Sequence, residues 1–263
     1  MIDECVITTD DSTITLREGR FEDTLMDIHH ESVDLVFTSP PFNLGGFYLR
    51  RDNNPPGARS YTWDSGGYQD DLPERDYIEW QMTSLLWMRD VIRPCGNILY
   101  HHQDRFKDGN TKSPMSIIMP LVESGDIRLK QTFVLDFGST HRHGKDRFPQ
   151  IHQYLYDITR YDLPPMQIYL NREPLPWNGD YPSSVWRDIP RQKGDNHCAP
   201  FHIDLARHVV RCFSPPGGLV CDPFSGSGTT ALACLIEGRR FIGSELLHEY
   251  HEVAMRRILS HAE

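Results

Sequence analysis

The sequence predicts one open, doubly wound α/β sheet, and three features predict it. Near its end the chain runs strand, loop, helix, strand: Leu219-Val220-Cys221, then Asp222–Gly228, Thr229–Glu237 and Phe241-Ile242-Gly243. That succession is the βαβ unit of a parallel sheet. Early in the chain a mostly apolar run, Val33–Phe37, reads as a buried strand that breaks off into a proline loop, Ser39-Pro40-Pro41-Phe42. Between them, Asp76 to Arg93 reads as a helix. Tyr77, Trp80, Ser84, Trp87 and Val91 lie on one stripe and Ile78, Met82, Leu85 and Ile92 on the next, a face wide enough to cover a sheet.

The remaining elements follow in order. Residues 12–18 alternate apolar and polar, as a short strand does, and a helical turn or two follows around Phe21–Ile28. After the strand at 33–37, residues 43–73 show no period; paired glycines and prolines alternate there with Phe47, Tyr48, Tyr61, Trp63 and Tyr68. Pro94-Cys95-Gly96 ends the long helix, and Asn97–His101 is the next strand. Thr132–Phe137 and His152–Ile158 are two more, separated by the basic loop 138–149. Residues 160–196 again lack a period. Pro200 opens a helix carrying Phe201, Leu205, Val209 and Cys212, and Leu247–Leu259 is the last helix, after the strand that ends at Glu245.

A chain of 263 residues is ample for one large α/β core. No stretch approaches the roughly 20 apolar residues of a membrane span, so no membrane partner is expected. Asp3 and Glu4, without an apolar core beside them, do not read as a signal peptide. The six cysteines form no CxxC pair and read as free thiols of a reducing compartment, which points to the cytoplasm. His101-His102, His141-x-His143 and His197 to His202 never repeat a ligand spacing, so no metal site is expected. The net charge of -10, Lys plus Arg 27 against Asp plus Glu 37, argues against a generic polyanion binder. Basic residues nevertheless cluster in three loops: Arg50, Arg51 and Arg59; Arg142, Lys145 and Arg147; and Arg187, Arg191 and Lys193. Arginines mixed with aromatic rings suit phosphate contact and base stacking.

Two loops carry the chemistry. In Asp222-Pro223-Phe224-Ser225-Gly226-Ser227-Gly228 the glycines let a ligand approach the backbone, and the following helix turns its first amides toward it. Glu245 falls at the tip of the next strand, about 20 residues on, where an acid accepts bonds from both hydroxyls of a ribose. The cofactor is then a dinucleotide or S-adenosylmethionine, since both present an adenosine ribose. In the other loop, two prolines hold one hydroxyl, one carbonyl and one aromatic ring in a set arrangement. Such a loop can accept from an exocyclic amine while Phe42 stacks on a flat ring.

Together, Ser39-Pro40-Pro41-Phe42 early and Asp222–Gly228 with Thr229-Thr230 late resemble the amino-methyltransferases of DNA, and the order of the loops is similar to their β group. Val33–Asn43, Arg93–Gly96, Val185–Pro190, His197–Phe201 and Gly238–Glu245 extend the likeness over most of the chain. Gly19-Arg20, where the family often has Gly-Asp, and His152-Gln153-Tyr154, where it often has His-Glu-aromatic, depart from it. The resemblance implies a Rossmann-like doubly wound methyltransferase sheet, mostly parallel with one antiparallel strand, plus long irregular loops. It implies a single catalytic domain over 1–263, with DNA-reading insertions expected at 43–75, 138–150 and 160–196. S-adenosyl-L-methionine is the implied cofactor and double-stranded DNA the partner, in a prokaryotic or phage-infected cell. A homodimer, and a cognate restriction endonuclease acting at the same site, are compatible with it.

Residue by residue, the resemblance implies that Ser39 and the Pro40 carbonyl, on the loop with Pro41, hold the target amine and that Phe42 stacks on the extruded base. Thr38, Pro223, Phe224, Gly226, Ser227, Gly228 and Thr229 line the cofactor pocket. Glu245 binds the ribose, Phe201 lies near the methionine end and Asp222 stays close to the cofactor amine. Contact with nucleic acid falls to Arg50, Arg51, Arg59, Arg142, Lys145 and Arg147. With no cysteine beside the prolines there is no nucleophile for methylating a ring carbon, so an exocyclic amine attacks the methyl group directly. Ser39 favours N4 of cytosine; N6 of adenine is the alternative. A nicotinamide oxidoreductase, which leaves the proline loop unexplained, and an idle nucleic-acid-binding module are the readings from other classes.

Overall fold

The computed structural model describes residues 3–44, 71–138, 148–161, 174–190 and 201–262. In chain order the elements are β1 (Asp3–Thr8), β2 (Thr13–Glu18), α1 (Phe21–Asp27), β3 (Val33–Thr38), α2 (Glu74–Val91), β4 (Ile92–His102), β5 (Arg105–Lys107), β6 (Asn110–Lys112), α3 (Met115–Glu123), β7 (Ile127–Asp136), β8 (His152–Arg160), β9 (Val185–Trp186), α4 (Ile203–Phe213), β10 (Leu219–Asp222), α5 (Thr229–Ile236), β11 (Arg240–Glu245) and α6 (His248–Ala262). Nine strands form one sheet in the order β1-β2-β11-β10-β3-β4-β8-β7-β9, and β5 and β6 form a separate hairpin.

The run from β2 to β4 is parallel throughout. β8 is the expected antiparallel strand, paired against β4 and β7, and β1 adds an antiparallel edge on β2. All six residues of β3 are buried, as a parallel strand covered on both faces must be. Leu35 and Phe37 face a core shared with Leu205 and Val209 of α4, Ala231 of α5 and Ile258 of α6. Val36 faces the other core, with Leu25 of α1, Leu85 and Met88 of α2, and Ile117 of α3. Asp34 is tolerated inside this strand because Arg93 pairs with it at 2.9 Å and the Leu219 amide donates to it at 2.8 Å.

The strand order locates the site. From β3 the chain goes to β4 on one side; from β10 it goes to β11 on the other. Neighbouring β3 and β10 therefore diverge at their carboxyl ends, and the crevice at such a switch point is where open α/β sheets bind ligands.

Most expected elements are present within a few residues of their expected ends. β4 begins at Ile92, directly after α2, and Pro94-Cys95-Gly96 forms an irregularity inside it, where pairing with β3 jumps from Val33–Ile92 to Leu35–Asn97. α4 starts at Ile203 with His202 as its N-cap, accepting from the Asp204 amide; Pro200 lies outside the described residues. β1, the β5–β6 hairpin, α3 and the two-residue β9 are additions.

Close packing at the carboxyl ends makes Gly243 irreplaceable. A Cβ there would stand 2.4 Å from Ser225 Oγ and 2.5 Å from the Asp222 carbonyl oxygen, which is backbone and cannot yield. Gly243→Ala is expected to destabilise the protein by about 1–3 kcal/mol, the overpacking range. A thermal melt within a degree of wild type would show that β11 can move away from the loop.

Candidate active site

Asp222, at the tip of β10, is buried, and its carboxylate collects three donors. Oδ1 accepts from Thr38 Oγ1 at 2.7 Å and from the Phe224 amide at 3.1 Å; Oδ2 accepts from Thr230 Oγ1 at 2.8 Å. Burial still pushes its pKa up to about 6, with the bonds from Thr38, Thr230 and Phe224 opposing the rise. Thr38 is the last residue of β3, so this carboxylate joins the two diverging strands across the switch point. The loop beyond it is stitched to β11 and β10: the Ser225 amide donates to the Ser244 carbonyl at 2.9 Å, and Ser225 Oγ to the Asp222 carbonyl at 2.8 Å. Arg257 of α6 adds bonds to the Ser227 carbonyl at 2.6 Å and to its hydroxyl at 2.8 Å. Gly228 caps α5 with a φ of 76°, and a Cβ there would meet that of Ala254 at 2.7 Å. Only glycine fits both demands.

Glu245 ends β11 beside this loop. Its Oε2 accepts from the Gly226 amide at 2.9 Å and its Oε1 from the Leu247 amide at 2.8 Å. Burial pushes its pKa up to about 7; bonds from the Leu247, Gly226 and Leu246 amides oppose this, and the Asp222 charge adds to it.

The proline loop lies across the crevice. Its Pro41 carbonyl accepts from Tyr77 Oη at 2.9 Å and from Gln81 Nε2 at 3.1 Å, both from α2. His102 holds Tyr77 in turn, with Nε2 2.7 Å from the phenol oxygen. Ser39 Oγ is 2.9 Å from His101 Nδ1, and His101 Nε2 is 2.8 Å from Gln153 Oε1 on β8. Burial lowers the pKa of His101 to about 4, which keeps the ring neutral at pH 7. The Phe42 ring lies 4.7 Å from His102 and 5.5 Å from His101. Phe201 stacks on Phe37 at 4.8 Å and meets His101 edge-on at the same distance.

The residues expected from the sequence thus fall around one crevice. Thr38, Ser39, Pro41 and Phe42 stand on one side, Asp222, Gly226, Ser227, Gly228, Thr229 and Glu245 on the other, and Phe201 next to His101. Two residues expected at the cofactor, Asp222 and Phe224, have side chains engaged within the protein. Asp222 spends its carboxylate on Thr38, Phe224 and Thr230, and the Phe224 ring packs against Phe21 at 5.0 Å and Trp80 at 5.8 Å. Arg50, Arg51, Arg59, Arg142, Lys145, Arg147, Arg191 and Lys193 lie outside the described residues; Arg187 is exposed after β9. His101, Tyr77 and Gln81 were not foreseen as site residues, and Gln153 stood out only as a departure from the family's pattern. The adjacent pair His101-His102 was visible, but only as a metal pair that no repeated ligand spacing supports; the two rings serve different partners.

A glycine loop and a buried acid on adjacent strand tips, facing a proline loop across the switch point, define a cofactor-binding α/β enzyme of the doubly wound class. The chain belongs to the DNA methylase family, whose model matches residues 33–256. This membership supersedes the nicotinamide oxidoreductase. Among its relatives, the type II methyltransferase M.BglII of Bacillus subtilis is 26% identical over 88% of this chain, which spans 64% of that protein's length. The DNA adenine methyltransferase YhdJ of Escherichia coli strain K12 is 25% identical over 89% of this chain and 79% of its own. The PvuII DNA methyltransferase (cytosine-N4-specific) shares the fold, with a TM-score of 0.70 at 19% identity over 95% of this chain and 87% of its own.

The raised pKa of Asp222 has a consequence for stability. Below about pH 4 it is protonated folded or unfolded. As the pH rises toward 6 the unfolded chain releases the proton first, so stability falls across that window and the loss is complete above it. Two pKa units correspond to a loss on the order of 3 kcal/mol. Urea midpoints at pH 4.5 and 7 should therefore drop further for wild type than for Asp222→Asn; equal drops would place the titration elsewhere.

Proposed function

We propose that this protein transfers a methyl group from S-adenosyl-L-methionine to the exocyclic N4 amine of a cytosine extruded from double-stranded DNA. The observation that carries this is Ser39 Oγ, a neutral hydroxyl on a rigidly held loop, backed at 2.9 Å by a neutral imidazole. A hydroxyl both accepts and donates. Ser39 can accept an N–H of the amine and turn its lone pair, otherwise delocalised into the ring, toward the methyl group. The Pro40 carbonyl offers a second acceptor, and Phe42 a stacking face for the extruded base.

The residues present fit the cofactor. A carboxylate has about four acceptor sites, and the Gly226 and Leu247 amides use one on each oxygen of Glu245. The Leu246 amide also bonds to this carboxylate, and acceptor capacity remains for a ribose hydroxyl. Gly226 and Gly228 leave the loop backbone bare, and Thr38, Pro223, Ser227 and Thr229 surround it; Phe201 would stand toward the methionine end. When bound, the cofactor supplies a methyl group activated by a sulfonium. With no cysteine in the proline loop, the protein's part is to orient the amine and let a proton leave. DNA contacts are assigned to the basic loops, with Arg187 among them. A homodimer and a cognate endonuclease are compatible with this function.

Adenine N6 is the alternative acceptor, and the likeness to YhdJ, named an adenine methyltransferase, favours it. Digesting DNA methylated by the protein and identifying the nucleoside by mass spectrometry separates the two. N4-methylcytosine is expected; N6-methyladenine moves the assignment to adenine, and 5-methylcytosine ends the direct-attack mechanism. Ser39→Ala is expected to slow methyl transfer and leave cofactor affinity unchanged, a loss confined to the transition state.

Cofactor affinity should also depend on pH through Glu245. The ribose hydroxyls donate to the charged carboxylate, which in the free protein is half protonated at about pH 7. Affinity therefore rises with pH through 7, by up to tenfold per unit below it, and levels off above 8. Calorimetry on Glu245→Gln should show this rise gone and affinity at pH 8 weaker by roughly 1.5–3 kcal/mol. A surviving rise would assign it to another group, Asp222 first.

A further inference from the structure

We infer that His101 is a positioning residue that receives, through Ser39 Oγ, the proton the target amine gives up. The inference rests on the amine-methylating function proposed above. Hydrogen-bond directions support it. Gln153 Nε2 donates to Gln103 Oε1 at 2.8 Å, which leaves Gln153 Oε1 to accept from His101 Nε2–H, also at 2.8 Å. The proton of the neutral ring is thereby on Nε2, and Nδ1 is bare. Nδ1 faces Ser39 Oγ at 2.9 Å, so the Ser39 hydroxyl donates to it. The oxygen lone pairs of Ser39 are then turned toward whatever amine enters the crevice, and the bonds run in one direction from amine to Ser39, His101 and Gln153.

Methyl transfer forms an N–C bond, breaks the methyl's bond to sulfur, and leaves the amine nitrogen with one proton in excess. A serine hydroxyl cannot keep a second proton near neutral pH. It can take one while handing its own to Nδ1, and the imidazolium so formed is held by Gln153 Oε1 until the proton returns to solvent. Burial keeps His101 in its acceptor form. A weak base suffices, because an exocyclic nitrogen carrying that extra proton on an electron-poor ring is a strong acid. The groups around the ring are Ser39, Phe42, His102, Gln153 and Phe201. His102 is also buried and neutral, its pKa lowered to about 3, and it is turned to Tyr77.

The test uses the full chain, S-adenosyl-L-methionine with a tritiated methyl group, and genomic DNA from a host lacking amino-methylation. If wild type labels no exocyclic amine, the proposed function fails before His101 is tested. If it does, single-turnover rates decide. His101→Asn should be slower by about 10²-fold or more, the usual range for general-base assistance, with cofactor Kd unchanged. Combined with Ser39→Ala it should add no further loss, because the two act in series. The carboxylate introduced by Gln153→Glu should raise the pKa of His101 and give the rate a fall at low pH that disappears when His101→Asn is added. In ligand-free protein, ¹⁵N spectra of labelled histidine should show one neutral ring protonated at Nε2 that loses this signature in His101→Asn. A His101→Asn rate within twofold of wild type, a low-pH fall that persists without His101, or a ring protonated at Nδ1 overturns the inference.

Discussion

The carboxylate of Asp222 is the constraint on which the site depends. The glycine loop starts at this residue and the proline loop starts one residue after Thr38, yet the two positions lie 184 residues apart in the chain. Sheet pairing alone brings β3 and β10 together over only two register positions, Val220 with Leu35 and Cys221 with Val36. Beyond them the strands part, and the Thr38–Asp222 bond carries the alignment to where the chemistry is. Burying a carboxylate is costly unless donors replace its water; here two hydroxyls and one amide do so. On the proposed function, a small shift between the two loops would misplace the amine against the methyl group, and reaction rates are steep in such displacements.

The proline loop is held from the opposite side by α2 and β4. Tyr77 and Gln81 fix the Pro41 carbonyl, Tyr100 Oη donates to Gln81 Oε1 at 2.8 Å, and His102 meets Tyr77. Arg105 closes the assembly with two bonds to Glu74, at 2.7 and 2.9 Å, and its guanidinium lies 4.5 Å over the Tyr77 ring. One further bond has a topological effect: Asn43 Nδ2 donates to the Leu72 carbonyl at 2.9 Å. The long stretch after Phe42 thus leaves and returns at one point beside the proline loop.

The sequence revealed elements whose signal is local. β3, α2, β10, α5 and β11 were legible because apolar periodicity, proline and glycine mark them within a few residues. α3 was not: its nine residues, with Pro120 inside, are held by burial of Ile117, Ile118 and Leu121 and not by any pattern of their own. The two loops of the site were legible for the same local reason, as was Glu245 at a strand tip. Partnership across the sheet was not. His101 is 62 residues from Ser39 and 52 from Gln153, and no spacing rule joins them until β3, β4 and β8 are side by side. The packing of Phe224 was equally hidden: its ring meets Phe21 and Trp80, far from it in sequence.

The charge distribution of the crevice follows its division of labour. On the glycine-loop side stand two carboxylates, Asp222 and Glu245, both raised in pKa by burial, with the Asp222 charge adding to the rise at Glu245. A site that receives a ligand with a positive sulfonium gains from such groups, because a buried cation is stabilised by nearby negative charge far more than it would be in water. On the proline-loop side the polar groups are a hydroxyl, carbonyls and two imidazoles kept neutral by burial. A cationic residue there would oppose both the approach of the cofactor and the positive charge that develops on the amine as the N–C bond forms. Neutral acceptors do neither. On the mechanism proposed above, the burial that lowers the pKa of His101 removes a charge that would oppose methyl transfer and leaves a lone pair for the departing proton.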